Sequence, residues 1–322
     1  MNFLIIIVKF RCKDSAFPKI IFIFAALLYI ILTMKRFLIA FFVVASLILQ
    51  LGFFSCTTKS SDITVLIDSV SVDSICPLFH NYEKPACHFS LRMEVPYVED
   101  NGGLSQSLQR FLVSIPRQGA FAEECDGTVK GMANSYLRSY IMQYLQEGKE
   151  AIDSYGEDMD AAATWMSYEE QAEGVVTFQE SNFLSYQFKV FSYMGGAHGN
   201  TITANRVFDL GNQQVITLAN LFSGENLAEV GTMLRQALAT LNECESVEQL
   251  AQSGIFFSAN DIEPTDNFLL DDKGLTWIYD PYEIAPYAYG PVTVALSWKE
   301  LLDLIDPESS VKAFAQAKSA AL

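Results

Sequence analysis

The apolar residues change their spacing from every second residue to every third or fourth between Phe89 and Gly148, and this change constrains the fold most. From Phe89 to Tyr97 apolar and polar residues alternate, which predicts a half-buried strand. Helical spacing follows in two segments. The first ends before Pro116, and the second runs from about Glu123 to Glu147 with Gly148 as its expected stop. A strand followed by two helices predicts a sheet with packed helices.

The second half of the chain repeats this grouping of strands and helices. Alternating strands and hairpin-like links favour an α+β fold with mostly antiparallel sheets over a parallel doubly wound sheet. A boundary near Phe208 divides two αβ units. The predicted segments after the signal sequence are an N-terminal domain (63–208), a C-terminal domain (209–306) and a tail (307–322). The tail is rich in Ala, Ser and Lys, and we expect it to be frayed.

The first 55 residues are predicted to direct export. They hold two apolar stretches, Ile20–Leu32 and Phe37–Phe54, separated by the basic Lys35 and Arg36. The second stretch has the basic start and apolar centre of a secretory signal. Cys56 follows at once and resembles the lipid-attachment site of bacterial lipoproteins. The segment 1–55 is therefore predicted to be upstream sequence and signal, and 56–62 a lipid-anchored linker in the cell envelope, on the outer membrane or the outer face of the inner membrane.

Three alternatives stay open at this end of the chain. Phe53 stands where lipoproteins prefer Leu, so cleavage by the ordinary signal peptidase is an alternative to lipid attachment. An uncleaved anchor is another, although Ile20–Leu32 is shorter than the ~20 residues of a spanning helix. We expect translation to start at Met34, with Met1 as the alternative.

The charge of the exported part limits its partners. The chain carries −17 formally, and residues 1–55 hold six basic residues and one acidic residue, so the part from Cys56 onward carries −22. Such a charge repels nucleic acid and anionic lipid and attracts cationic proteins. Solubility alone also explains an acidic surface, so the charge indicates a class of partner without identifying it.

Four cysteines follow Cys56, namely Cys76, Cys87, Cys125 and Cys244. An even number in an oxidising compartment predicts disulfides, and four cysteines allow three pairings. The first expectation is Cys76 with Cys87, because this pair closes a short hairpin-like loop. No C-x-x-C spacing occurs, so neither a zinc ribbon nor a thioredoxin-type motif is indicated.

Gly195, Gly196 and Gly199 surround His198 between two predicted strands. Three glycines in five residues predict a tight connection in which the backbone needs positive φ or a close approach. A catalytic or metal-binding role for His198 would need partners, and no H-E-x-x-H or similar spacing is present. We therefore expect His198 to support the glycine turn, and we expect neither a metal site nor a cofactor.

No catalytic motif is visible in the exported part. It contains no G-x-S-x-G elbow and no P-loop. Two carboxylates could hydrolyse glycans, yet 37 acidic residues give no basis for choosing a pair. A cell-wall hydrolase with unassigned carboxylates therefore stays a hypothesis, but we rank it behind a binding function.

A proline-rich loop with three tyrosines is the candidate binding surface. Its tyrosines are Tyr282, Tyr287 and Tyr289, and prolines flank them. Tyrosine rings pair with sugar faces and with cationic side chains. We expect Tyr287 and Tyr289 to be the exposed pair, and the alternative is that the rings plug a sheet edge below the Gly195 turn.

Two motifs carry a family resemblance. The segment Tyr193–Gly199 ahead of Asp209-Leu210-Gly211, and the segment Tyr282–Gly290 ahead of a Val-rich strand, together resemble the paired extracellular domains of the anti-sigma-V (RsiV-like) lysozyme receptors. The same pair precedes the catalytic domain in PdaC-type peptidoglycan deacetylases. The resemblance spans about Ile63 to Ile305. It implies recognition of a cationic lysozyme-like protein or, alternatively, of peptidoglycan or another glycan.

The chain departs from both groups of proteins. The receptors carry a cytoplasmic sigma-binding segment, whereas at most 33 largely apolar residues precede Met34. The deacetylases carry a further C-terminal catalytic domain, and we expect none here, because the sequence ends shortly after the region of resemblance. The expectation is therefore a non-catalytic binding lipoprotein, held to a bacterial membrane by its anchor.

Overall fold

The computed structural model describes residues 63–79, 85–116, 125–155 and 165–321. The predicted signal sequence, the lipid-attachment residue Cys56 and the linker 56–62 lie outside the described residues. Within the described ranges, no helix is both long enough and apolar enough to cross a membrane.

A six-stranded sheet in sequential order forms the first half of the fold. All neighbouring strands are antiparallel except the parallel pair of the second and third. Its strands are β1 (Leu66–Pro77), β2 (Ala86–Tyr97), β3 (Tyr168–Glu180), β4 (Phe183–Met194), β5 (Asn200–Asp209) and β6 (Gln214–Ile216). A parallel pair needs a long crossover connection. The segment between β2 and β3 supplies it with two helices, α1 (Gly102–Val113) and α2 (Val129–Tyr155).

The two helices cover one face of this sheet. Alternate residues of β2, Phe89, Leu91 and Met93, are almost completely buried, as the period of two predicts. Helix α1 buries Leu104, Leu108 and further apolar residues against them, and the Asn101 side chain caps its first turn by accepting from the Leu104 N–H. The predicted strand and first helix are confirmed.

The second half of the fold contains a three-stranded antiparallel sheet and five helices within the described residues. The helices before the sheet are α3 (Leu218–Leu221), α4 (Gly224–Leu241) and α5 (Val247–Gln252). The strands are β7 (Phe268–Leu270), β8 (Gly274–Tyr279) and β9 (Val292–Ser297). The last helices are α6 (Trp298–Leu301) and α7 (Lys312–Ser319). One mixed sheet and one antiparallel sheet with separate helices confirm the predicted α+β class.

Two hydrophobic clusters lie within one compact unit, Asp62–Leu322. One cluster joins the helices α1 and α2 to the six-stranded sheet. The other joins α3 to α7 to the small sheet, and it also contains Phe183 and Val207 from strands of the large sheet. Strand β6 pairs with β5 across the predicted domain boundary at Phe208, so the large sheet continues past that residue. The boundary therefore stays a prediction.

Two expectations about element ends are corrected. Helix α2 passes through Gly148 and ends seven residues later. A Cβ at Gly148 would lie 2.1 Å from Leu78 Cδ1, so this glycine permits a close approach rather than a helix end. The tail that we expected to be frayed forms helix α7, because Phe314 and Ala315 are buried in the second cluster.

Candidate functional site

The glycine turn joins β4 to β5, as expected. Gly195 has a φ of 76°, and a Cβ there would lie 1.7 Å from the Trp165 carbonyl oxygen. A Cβ at Gly199 would lie 2.4 Å from the Phe191 ring. Gly196 differs, since it has no positive φ and its nearest contact would be the His198 carbonyl oxygen at 3.9 Å. The predicted need for glycine is confirmed at two of the three positions.

The tyrosine loop begins after β8 with a strained residue. Tyr282 has a φ of 72°, in the left-handed region that non-glycine residues rarely adopt. Hydrogen bonds on both sides hold it there. The Tyr282 N–H donates to the Ala285 carbonyl, the Glu283 N–H donates to the Asp280 carbonyl, and the Asp280 N–H donates to Glu283 Oε2. Strain held in this way is characteristic of functional loops.

The fold brings the glycine turn and the tyrosine loop together. The His198 ring lies on the Tyr287 ring, with centroids 3.8 Å apart and planes at 19°. Tyr282 adds a third ring, 5.5 Å from Tyr287, and its hydroxyl lies 3.5 Å from His198 Nε2. The Tyr287 hydroxyl donates to the Gly199 carbonyl at 2.7 Å. These three rings, His198, Tyr282 and Tyr287, are called the aromatic stack below.

The exposure of the tyrosines corrects one expectation. Tyr282 (54% exposed) and Tyr289 (45% exposed) are the exposed pair, whereas Tyr287 is half-buried beneath His198. Tyr289 contacts different groups. Its ring lies 5.5 Å from Phe256, and its hydroxyl donates to Asn242 Oδ1. The structure thus unites two of the three predicted tyrosines with His198.

His198 lies against the backbone of its own turn. Its Nδ1 is 2.9 Å from the Gly199 carbonyl oxygen, and the residue as a whole is exposed although one face of its ring lies on Tyr287. This placement agrees with a supporting role for His198. Among the described residues, no group of three or more His, Cys, Asp or Glu side chains is arranged to hold a metal ion.

A cleft of about 690 Å³ lies along the inner face of β4 and β5, and sequence reasoning did not predict it. Its apolar lining includes Phe188 and Val190, and its polar lining includes Arg206 and Asp280. Burial lowers the pKa of the Arg206 guanidinium, and burial raises the pKa of the Asp280 carboxyl. Asp280 is tied to β5, because its carboxylate accepts from the Thr203 N–H and hydroxyl. The cleft therefore adjoins the tyrosine loop through Asp280.

Part of the opposite face of the large sheet is open and polar, whereas Phe183 and Val207 at one end of it are buried in the second cluster. A groove of about 530 Å³ crosses the open part. Arg92, Glu173 and Lys189 stand side by side on β2, β3 and β4 there. Phe191 lines this groove, and its ring packs against Gly199. Because Gly199 also binds Tyr287, the outer groove runs up to the aromatic stack.

The cysteines are placed as follows. Cys76 on β1 is directly opposite Cys87 on β2. Cys125 packs against the first hydrophobic cluster, and Cys244 packs against the second. No disulfide joins these four residues to one another in this structure, so the predicted pairing stays a prediction.

The aromatic stack presents a surface that can bind a ligand. Its exposed ring faces attract cations through their quadrupoles and offer flat apolar surfaces to sugar rings. Asp280 and Glu283 beside it are carboxylates, and burial raises the pKa of both groups. The exposed ring faces therefore suit a cationic side chain or a sugar ring.

Comparisons with known proteins match two separate segments of the chain. Residues 82–201 match the family model for deacetylase PdaC, and residues 219–299 match a family described as a protein of unknown function, DUF3298. No curated protein matches the chain significantly.

Two of the solved structures that are similar to this one come from the DUF3298 family. A member of the DUF3298 family from Bacteroides fragilis NCTC 9343 is 26% identical, with a TM-score of 0.70, covering 80% of this chain and 99% of that one. A DUF3298 family protein from Pseudomonas aeruginosa PAO1 is 16% identical, with a TM-score of 0.54, covering 76% of this chain and 96% of that one, and it shows the fold alone. These matches support the DUF3298 and PdaC domain families for the described part of the chain.

Proposed function

We propose that this chain is a non-catalytic binding module of the bacterial cell envelope that captures a cationic, lysozyme-like protein at the aromatic stack. The matches to DUF3298 and deacetylase PdaC suggest an envelope-associated domain. Lipid attachment at Cys56 is part of the proposal.

One observation supports the proposed binding site at the aromatic stack. His198 lies in the segment that matches PdaC, and Tyr282 and Tyr287 lie in the segment that matches DUF3298. The fold therefore builds an exposed surface from both segments. Tyr282 is held there at a strained φ, which is a cost to folding that a binding role explains.

Charge supports a cationic partner. The part from Cys56 onward carries −22, and Asp280 and Glu283 flank Tyr282 in the chain. Long-range attraction accelerates encounter with a basic protein. A Lys or Arg side chain over an exposed ring adds about 0.5–1 kcal/mol. Long-range electrostatic attraction raises the rate at which the two proteins meet. Contacts of the aromatic rings with the partner's cationic side chains then supply the specificity.

The test is calorimetric titration of the chain from Thr57 onward with a c-type lysozyme at physiological salt. We expect saturable one-to-one binding, which Tyr282→Ala weakens about 10- to 100-fold, as for a central aromatic contact. The matched control is Tyr97→Ala, which removes a tyrosine that is 37% exposed on β2 and outside the stack. It should bind like the parent chain.

Two results would contradict the proposal. One is the absence of both heat and any shift in melting temperature with lysozyme. The other is equal binding of cytochrome c, a basic protein with another fold, because that would reduce the interaction to nonspecific charge attraction, which salt screens.

A second candidate function, binding of peptidoglycan or another glycan, is favoured by the outer groove. Planar polar side chains such as Arg92 and Gln171 line it, and it ends at Phe191 near the aromatic stack. Such side chains suit a hydroxyl-rich polymer. Purified cell wall should retain the chain on sedimentation, and Arg92→Ala together with Gln171→Ala should release it. No retention of the parent chain would end this candidate.

A further inference from the structure

Cys76 and Cys87 occupy the one place in the described strand ladders where two cysteines are directly opposite each other. The neighbouring residue pairs in the same ladder are Ile75–His88 and Pro77–Ala86. Directly opposite residues of an antiparallel pair have Cα atoms about 4.5–5.5 Å apart. A disulfide requires about 4.4–6.8 Å. Opposite residues also project from the same face of the sheet, so both sulfurs lie on the same side.

The surroundings of the two thiols differ. Cys87 is 1% exposed in the first hydrophobic cluster, whereas Cys76 is half-buried at its margin. Burial, and then the neighbouring Cys76, raises the pKa of Cys87 to about 12. Cys87 is therefore a poor nucleophile while it is enclosed, and Cys76 is the thiol that a reagent meets first.

We propose that Cys76 and Cys87 are a covalent cross-link site, which closes to a cross-strand disulfide by exchange with a disulfide-bearing oxidant, and that Cys76 reacts first. This inference is independent of the proposed function.

The exchange is balanced in two steps. The Cys76 thiolate attacks one sulfur of the oxidant disulfide, forms a mixed disulfide and releases the first oxidant thiol. Cys87 then gives up its proton and attacks Cys76 Sγ, which releases the second oxidant thiol. Two protein thiols become one disulfide, and the oxidant disulfide is reduced to two thiols. The acceptor is a dithiol–disulfide oxidoreductase or a small disulfide such as oxidised glutathione.

The other two cysteines lack this geometry. Cys125 packs against the first cluster and Cys244 against the second, and neither has a cysteine opposite it in the described ladders. They therefore serve as matched controls of the same residue type.

The cross-link would stabilise an edge strand. β1 is the first strand of the sheet and pairs with β2 only, within the described residues. A bond between Cys76 and Cys87 closes a short loop and removes freedom from the unfolded chain. For a chain of this size, we expect the oxidised form to melt roughly 5–10 °C above the reduced form.

The experiment compares the chain from Thr57 onward, a segment that contains the whole compact unit, after oxidised glutathione and after dithiothreitol. Intact mass should show the loss of two hydrogen atoms on oxidation. Digestion with trypsin and a protease that cuts after Glu83, which lies between the two cysteines, should give two peptides joined through Cys76 and Cys87. The Cys125→Ser/Cys244→Ser variant should behave in the same way.

The variant Cys76→Ser/Cys87→Ser should lose the response of its melting temperature to reductant. In the reduced parent chain, brief alkylation should label Cys76 well before Cys87, and this readout does not depend on any variant's folding. Recovery of four reactive thiols after oxidation and denaturation would overturn the proposal. So would a linked peptide that joins either cysteine to Cys125 or Cys244.

Discussion

At the scale of single residues, the site depends on backbone conformations that carry a cost. Tyr282 at a φ of 72° is held by a local turn, and Gly195 at 76° is held against Trp165. The two positions differ in chemistry. Glycine adopts a positive φ at little cost, so Gly195 is not strained. Tyr282 has a large side chain and adopts a positive φ at a cost in free energy. This contrast is why we assign Tyr282 to binding and Gly195 to the architecture of the turn.

The first prediction concerns Gly195. Gly195→Ala should lower the free energy of unfolding by about 2–4 kcal/mol, because the new Cβ meets both a left-handed backbone and the Trp165 carbonyl. Urea denaturation measures the change. Gly196→Ala, one residue on and without either constraint, should stay within about 0.5 kcal/mol of the parent chain. Equal losses at both positions would show that the turn is not built as described.

At the scale of elements, helix α7 shows how packing overrides composition. Its sequence is rich in Ala, Ser and Lys, which indicated a frayed tail. Yet Phe314 packs edge-on against Phe183 and Trp298, with ring centroids 5.3 and 5.8 Å apart. One aromatic residue per two turns is too sparse to show a helical period. Its burial depends on rings that are distant in the chain.

The second prediction tests this helix. Phe314→Ala should cost about 3 kcal/mol of unfolding free energy, because it leaves a cavity among buried aromatic rings. Thermal and urea denaturation should agree on this loss. Gln316→Ala, an exposed position in the same helix, is the matched control and should change little. An unchanged stability in Phe314→Ala would mean that the tail is frayed in solution, as its composition suggests.

At the scale of the whole molecule, polar side chains join the two sheets. The buried Ser185 hydroxyl on β4 donates to the Leu270 carbonyl and accepts from the Leu270 N–H on β7. Asn267 Oδ1 accepts from the Asn205 N–H, and its amide nitrogen donates to the Ile278 carbonyl. These bonds satisfy backbone groups of β5, β7 and β8 that would otherwise be buried unpaired. They also position Asp280, and hence the tyrosine loop, at the β5 edge.

The third prediction concerns this connection. Asn267→Ala should cost about 2–3 kcal/mol, because it leaves the buried Asn205 N–H without its partner. Far-UV circular dichroism and the fluorescence of the tryptophans, two of which, Trp277 and Trp298, lie in the second cluster, should shift together. Asn134→Ala is the control, because the Asn134 amide donates to the Lys130 carbonyl of its own helix. A shift in fluorescence alone would show that the two sheets unfold separately.

Sequence reasoning found most of the elements and the parts of the site. The alternation in β2 and the stripe of α1 follow from periods of two and 3.6, which depend only on neighbouring residues. The glycine turn and the tyrosine loop were identified separately from their composition. The exposures of Tyr282 and Tyr287 were assigned wrongly, because a ring's burial depends on what packs above it. The inner cleft was missed, since Arg206 and Asp280 are far apart in the chain.

By itself, the sequence determined the element types, the α+β class, the acidic charge and the two motifs. These properties are local or additive, so a linear reading reaches them. Only the tertiary structure decided that His198 and Tyr282, 84 residues apart, would share one aromatic stack. That contact depends on how β7 and β8 attach to β4 through Ser185 and to β5 through Asn267. The energy of such an arrangement is spread over many distant pairs, and no local pattern encodes it.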